Sequence, residues 1–110
     1  MKVHLIKKKT LMAFVKKNAH SKAPFTVWFS IIKQVDWNKP IDIVSSFNNA
    51  DILGNGSERV VFNIGGNKFR MICRYHFGRK RVHLFVNWIG THAEYTKLCL
   101  ERKQYTVDDY

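Results

Sequence analysis

The sequence predicts an α+β domain in which an N-terminal strand and two helices pack on one face of a small antiparallel sheet, followed by a C-terminal helix. Three observations lead there. Apolar residues recur at helical spacing through the first third of the chain. Three alternating runs separated by glycine turns fill the second half, and a helix-capping signature follows the last of them. A chain of 110 residues has room for a single hydrophobic core. The expectation is one domain over residues 1–102, with residues 103–110 as a frayed tail.

The elements follow in chain order. Lys2-Val3-His4-Leu5-Ile6 alternates as a short strand does. Thr10 suits an N-cap for a helix from Leu11 to about Asn18, with Leu11, Phe14 and Val15 on one face. After a break from Ala19 to Ala23, Pro24 fits the first turn of a second helix running to about Val35. Phe25, Trp28, Phe29 and Ile32 recur there at helical spacing. Asp36 to Pro40 interrupts the pattern, Ile41 to Phe47 fits a short helical turn, and Asn48 to Ser57 reads as an exposed loop.

From Glu58 the alternation predicts a three-stranded meander. Read as a two-residue loop, Gly65-Gly66 sets Phe62 opposite Phe69, Val60 opposite Met71, Asn63 opposite Lys68 and Val61 opposite Arg70. Gly78-Arg79, read the same way, sets Tyr75 opposite Val82, Cys73 opposite Leu84, Met71 opposite Val86 and Phe69 opposite Trp88. It also sets His76 against Arg81, Arg74 against His83, and Arg70 against Asn87. Both hairpins put Phe69 and Met71 on one apolar face, and a slip of one residue would break that agreement. The opposite face carries Asn63, Lys68, Arg70, Arg74, His76, Arg81, His83 and Asn87, with Ile72 and Phe85 between them. Thr91 and Glu94 form a capping box, so a helix begins there and runs to about Leu100; Tyr95, Leu98 and Cys99 are its packing positions. Glu101 to Tyr110 shows no pattern.

Charge narrows the partners. Nineteen Lys and Arg against eight Asp and Glu give a net charge of +11. Such a surface attracts polyanions, nucleic acid first among them, although a ribosome, a membrane surface or an acidic protein shares the sign. No apolar run approaches the ~20 residues of a membrane span. Lys16-Lys17 ends the run after Lys7-Lys8-Lys9 too soon for a secretory core, so a cytoplasmic protein with no membrane role is expected. Cys73 and Cys99 read as two reduced thiols. His76 and His83 lie near each other across two strands, but Arg74 and Arg81 flank them, so neither a metal nor another cofactor is expected.

The segment Val61-Phe62-Asn63-Ile64-Gly65-Gly66-Asn67-Lys68-Phe69-Arg70, followed by Thr91-His92-Ala93-Glu94-Tyr95, resembles the HigB-type toxins of the RelE-like superfamily. The likeness runs from Val60 to about Lys97, and the N-terminal half is similar in layout more than in residues. It implies a RelE-like fold and an endoribonuclease that cleaves mRNA, often on the translating ribosome at the A site of the 30S subunit. It also implies neutralisation by a HigA-type helix-turn-helix antitoxin, which the charge of this chain requires to be acidic.

RNA cleavage of this kind needs the 2′-hydroxyl to attack the adjacent phosphate while the 5′-oxygen leaves. One group takes a proton, another gives one, and cations stabilise the phosphorane. Asn63, Lys68, Arg70 and Asn87 gather at one end of the polar face, and His92 and Tyr95 begin the helix just beyond it. The open N–H groups of that helix start favour an anion. On this reading Arg70 stabilises the phosphorane, Lys68 binds phosphate or assists proton transfer, His92 serves as acid or base, and Tyr95 stacks or transfers a proton. Asn63, Arg74, His76, Arg81, His83 and Asn87 hold RNA, with His76, Arg81 and His83 on the order of 16 Å away along the strands. As residue types alone, His92 equally suits a solvated cap, Tyr95 a packing group, and Arg70 and Lys68 a solvated sheet face. Two other functions fit the same scaffold: a ParE-like poison of gyrase that cuts no RNA, and a plain RNA- or ribosome-binding module.

Overall fold

The computed structural model describes residues 1–110. Strand β1 (Lys2–Ile6) leads into helix α1 (Lys8–Lys17), and a single tight turn at Ala19–Ser21 leads into α2 (Lys22–Ile32). A short α3 (Ile41–Ser46) and a two-residue strand β2 (Asp51–Ile52) precede the meander β3 (Arg59–Ile64), β4 (Phe69–Phe77) and β5 (Arg81–Thr91). Helix α4 (His92–Leu100) follows. The α+β architecture and the C-terminal helix are as the sequence predicts.

The sheet is larger than the meander. Its order is β1-β5-β4-β3-β2, with β1 parallel to β5 and the other neighbours antiparallel. It is therefore mixed rather than wholly antiparallel. The partner of β1 lies some eighty residues away, and local pattern cannot report the direction of so distant a pairing. Helix α1 begins earlier than its apolar stripe: Lys7 adopts a left-handed conformation (φ 69°) that turns the chain out of β1. Thr10 consequently lies inside the helix, and its backbone N–H donates to the Lys7 carbonyl at 3.1 Å.

Both hairpins turn differently from expectation. Ile64, not Phe62, faces Phe69, so Asn63 faces Arg70, and Gly65 to Lys68 form the turn. Gly65 has φ +67°, and a Cβ there would stand 3.1 Å from the Pro24 ring, so the hairpin tip closes tightly on α2. In the second hairpin the Gly78 N–H donates to the Arg81 carbonyl at 3.0 Å, which moves the turn to Arg79-Lys80. Tyr75 then faces Leu84, His76 faces His83 and Arg74 faces Phe85. Each shift is by two residues, so the shifts by themselves leave side chains on their predicted faces.

A bulge changes the rest. Cys73 pairs with Val86 but Ile72 pairs with Trp88, leaving Asn87 as the extra residue in β5. Beyond it the alternation flips. Arg70 faces Gly90 rather than Asn87, Ile89 enters the main core, and Trp88 joins the opposite face. The Trp88 ring lies directly over Gly90: a Cβ there would come within 2.5 Å of the indole.

The inner face of the sheet meets α1 and α2 in the principal core. Leu11, Phe25, Trp28, Phe62, Met71, Leu84 and Val86 lie at its centre. On the outer face Val61, Ile72 and Trp88 form a second cluster beneath Tyr95 and Leu98 of α4 and Val107 of the tail. Residues 103–110, expected to fray, instead lie across this face. The Arg59 guanidinium donates to the Val107 carbonyl at 2.6 Å, the Asp109 N–H donates to the Asn87 carbonyl at 2.9 Å, and Asn87 Nδ2 donates to Asp108 at 3.2 Å. Lys7 pairs with Asp108 at 3.6 Å and also reaches the Tyr110 carbonyl oxygen. No helix is long and apolar enough to cross a membrane.

Candidate active site

Strand register sets the floor of the site. Asn63 of β3, Arg70 of β4 and Gly90 of β5 lie side by side across the outer face. Two residues further along the strands, Asp51, Val61, Ile72 and Trp88 make the next row on this face. Helix α4 lies over these rows, held at its start by the hairpin: the His92 N–H donates to the Lys68 carbonyl at 3.1 Å. The predicted capping box is present, with the Glu94 N–H donating to Thr91 Oγ1 at 3.2 Å and the Thr91 N–H donating to Glu94 Oε1 at 2.7 Å. These bonds occupy amides that would otherwise attract an anion, and Glu94 adds a negative charge. The helix start is therefore a weaker anion site than expected.

Between α4 and β2 opens a cleft of about 390 Å³ lined by Asp51, Asn63, Arg70, His92, Tyr95, Thr96, Cys99 and Leu100. Arg70 dominates its electrostatics. The residue is only 7% exposed, its guanidinium donates to the Phe69 carbonyl at 3.2 Å and to Asn67 Oδ1 at 3.3 Å, and it joins no ion pair. A nearly buried cation bonded only to neutral oxygens keeps spare donors and lacks a counter-charge. An anion entering the cleft would meet both needs.

Tyr95 bridges structure and site. Its ring packs on Trp88, with centroids 6.1 Å apart, and its phenol lines the cleft. Burial pushes the phenol pKa up, the adjoining Cys99 thiol and the charge of Asp51 add to that rise, and Arg70 opposes it. Tyr95 is accordingly a neutral phenol near pH 7, fit to donate a proton rather than accept one. His92 is exposed at the cleft edge.

The structure brings Asn63, Arg70, His92 and Tyr95 together. It separates the other expected residues from them. Lys68 is exposed on the hairpin turn beside the cleft. Asn87 is buried beneath the tail and bonded to Asp108. Arg74 lies over the Phe85 ring at 4.3 Å. His76 and His83 stack at 6.1 Å, His4 meets His83 at 3.3 Å between Nδ1 atoms, and Arg81 lies near Lys2 and Lys80 at the same far end. Six residues of strand separate His76 from Arg70, about 20 Å. Three lining residues escaped sequence reading although a signal existed: Thr96 and Cys99 fall at helical spacing from His92 and Tyr95, and Leu100 follows Thr96 by one turn. Asp51 gave no signal, because a two-residue strand is too short to show a period.

This combination, a meander floor bearing Arg70 under a capped helix bearing His92 and Tyr95, can be compared with known proteins. The family described as HigB_toxin, RelE-like toxic component of a toxin-antitoxin system, matches residues 21–98. The chain belongs to the HigB toxin family. The matched span runs from the start of α2 into α4 and so includes every cleft residue except Cys99 and Leu100. An mRNA interferase HigB of Escherichia coli O6:H1 (strain CFT073) is 30% identical over 96 residues, covering 87% of this chain and 91% of the relative. HigB-family membership accords with the α+β fold and makes an antitoxin partner part of this protein's biology.

Proposed function

We propose that this HigB-family toxin is an endoribonuclease that cuts mRNA in the cleft beneath α4. The observation that carries the reading is the position of Arg70, a nearly buried cation without a carboxylate partner, in one cleft with a neutral phenol and an exposed imidazole. Arg70 would bind the scissile phosphate and stabilise the phosphorane as the 2′-oxygen attacks. Tyr95, with its raised pKa, suits the donor to the departing 5′-oxygen, and His92 suits the group that takes the 2′-hydroxyl proton. Lys68 would strengthen phosphate binding from the rim. These side chains supply proton transfer and charge stabilisation themselves, so the reaction is written without a metal cofactor. The product 5′ of the cut would carry a 2′,3′-cyclic phosphate.

The relative named mRNA interferase supports mRNA as substrate. The charge of +11 supports docking on ribosomal RNA at the A site of the small subunit, with Arg74, His76, Arg81 and His83 gripping RNA well away from the cut. The same charge supports an acidic antitoxin of the HigA helix-turn-helix type.

The test is inducible expression in a bacterial host with growth followed and mRNA 5′ ends mapped, comparing wild type with Arg70→Ala and His92→Ala. Arrest with new cuts is expected for the wild type. In Arg70→Ala cutting should fall by about 10²–10³-fold at equal protein level, the usual loss when a transition-state donor is removed. Arrest without new mRNA ends would overturn the nuclease and point to gyrase or another target.

A further inference from the structure

Asp51 lines the cleft but has no part in the chemistry above. Asp51 is the only carboxylate among the lining residues, and it is exposed and free of any ion pair. Its placement is fixed by register. Asp51 pairs with Val61, and directly opposed residues share a face of the sheet, so its side chain stands on the outer face with Val61, Ile72 and Trp88. Its neighbour Ile52 turns the other way, into the main core. The carboxylate therefore stands at the β2 edge of the cleft, opposite α4.

A carboxylate is a poor neighbour for a phosphodiester. It divides the cleft into a cationic part around Arg70 and an acceptor-rich part around Asp51. Two further residues suit the second part to a nucleobase. Tyr95 offers an aromatic surface, and Leu100, 81% exposed, offers an apolar one at the rim. The volume of about 390 Å³ lies within the range of small-ligand sites.

We propose that Asp51, with Asn63 beside it on the sheet, reads the hydrogen-bonding edge of one nucleobase next to the scissile phosphate and selects a base bearing an amino group over uracil. This rests on the nuclease reading above. An ionised carboxylate only accepts hydrogen bonds. Adenine, cytosine and guanine each present an exocyclic amine to it. Uracil presents one ring N–H between two carbonyl oxygens, which the carboxylate repels. Asn63 can donate to or accept from the remaining edge atom, so it adds binding without choosing among the amino-bearing bases.

The experiment maps cut sites across whole transcripts for the wild type, Asp51→Asn and Asp51→Ala, and reads base frequencies at each position flanking the cut. In the wild type, uracil should be depleted at one fixed position, by about 10-fold relative to the transcript average, the scale of discrimination given by one well-placed hydrogen-bonding pair. In Asp51→Asn, whose amide can also donate to a carbonyl, uracil should return at that position while preferences elsewhere hold. A wild-type map with no uracil-depleted position would overturn the inference and leave the nuclease standing, as would a depleted position that persists in both variants. Absence of any cuts by the wild type would bring down the nuclease reading and this inference together.

Discussion

The two faces of the sheet are built from alternate residues of the same strands, yet they are buried by different means. On the inner face, Phe62, Met71 and Leu84 meet α1 and α2 in a continuous apolar core. On the outer face only Val61, Ile72 and Trp88 form an apolar cluster, and Arg59, Arg70 and Asn87 are buried around it. Burial of polar groups costs free energy unless they are bonded. Tail carbonyls answer Arg59, while Arg70 receives only two neutral acceptors. The inner face thus supplies stability. The outer face spends part of it to hold a cation ready for a ligand.

The sharpest way to break this division is to truncate each face in turn. Phe62→Ala, on the inner face, should cost about 3–5 kcal/mol in chemical denaturation, because a ring that packs between Trp28 and Phe47 leaves a cavity. The cleavage rate of the molecules that remain folded should not change. If it fell in proportion to a loss of affinity for RNA, the inner face would have a direct part in the site.

A smaller effect separates support of the cleft from support of the fold. Thr91→Ala removes the hydroxyl that accepts from the Glu94 N–H and should cost about 1 kcal/mol. Since α4 carries His92 and Tyr95, activity should fall more than the loss of folded protein explains. Equal falls would mean that α4 keeps its position without its cap.

The smallest effect concerns the tail. The Asn87 hydrogen bond, with further help from Lys7 and Arg59, holds the Asp108 carboxyl below the usual carboxylate range. A folded-state pKa below the unfolded value gives stability that is present above about pH 4 and is lost as pH falls through the folded value. Asp108→Asn should therefore lower the melting temperature slightly at neutral pH and remove part of its decline in acid. Tyr95, Tyr75 and Tyr110 act at the other end. Burial raises all three, so stability should hold below about pH 10 and fall above it in both proteins. An unchanged acid limb in Asp108→Asn would show that the tail does not grip the outer face through this residue.

Much of the site was legible because its parts are local. Thr91 and Glu94 announce the start of α4 three residues apart, and that start carries His92 and Tyr95. Asn63 and Arg70 were placed on one face correctly despite wrong turns, since a two-residue error preserves the side-chain period. Trp88, expected opposite Phe69 on the inner face, was misplaced for the converse reason. One extra residue in β5 reverses the period, and nothing in Val86-Asn87-Trp88-Ile89 marks the bulge. The fraying expected of residues 103–110 failed because their contacts are with Lys7, Arg59 and Asn87, all far away in sequence.

By itself, the sequence determined the class of fold, the inner core, the cationic character of the outer face and the helix that carries the candidate proton-transfer groups. Each follows from periodicity, capping or charge, which act over a few residues or over the whole composition. Packing between distant segments set the direction of β1 against β5, the closure of the tail over Asn87, the burial of Arg70 without an ion-pair partner, and the place of Asp51 in the same cleft. Those facts depend on pairings between distant segments and on one bulge. The free energies that set them arise only when the chain is packed.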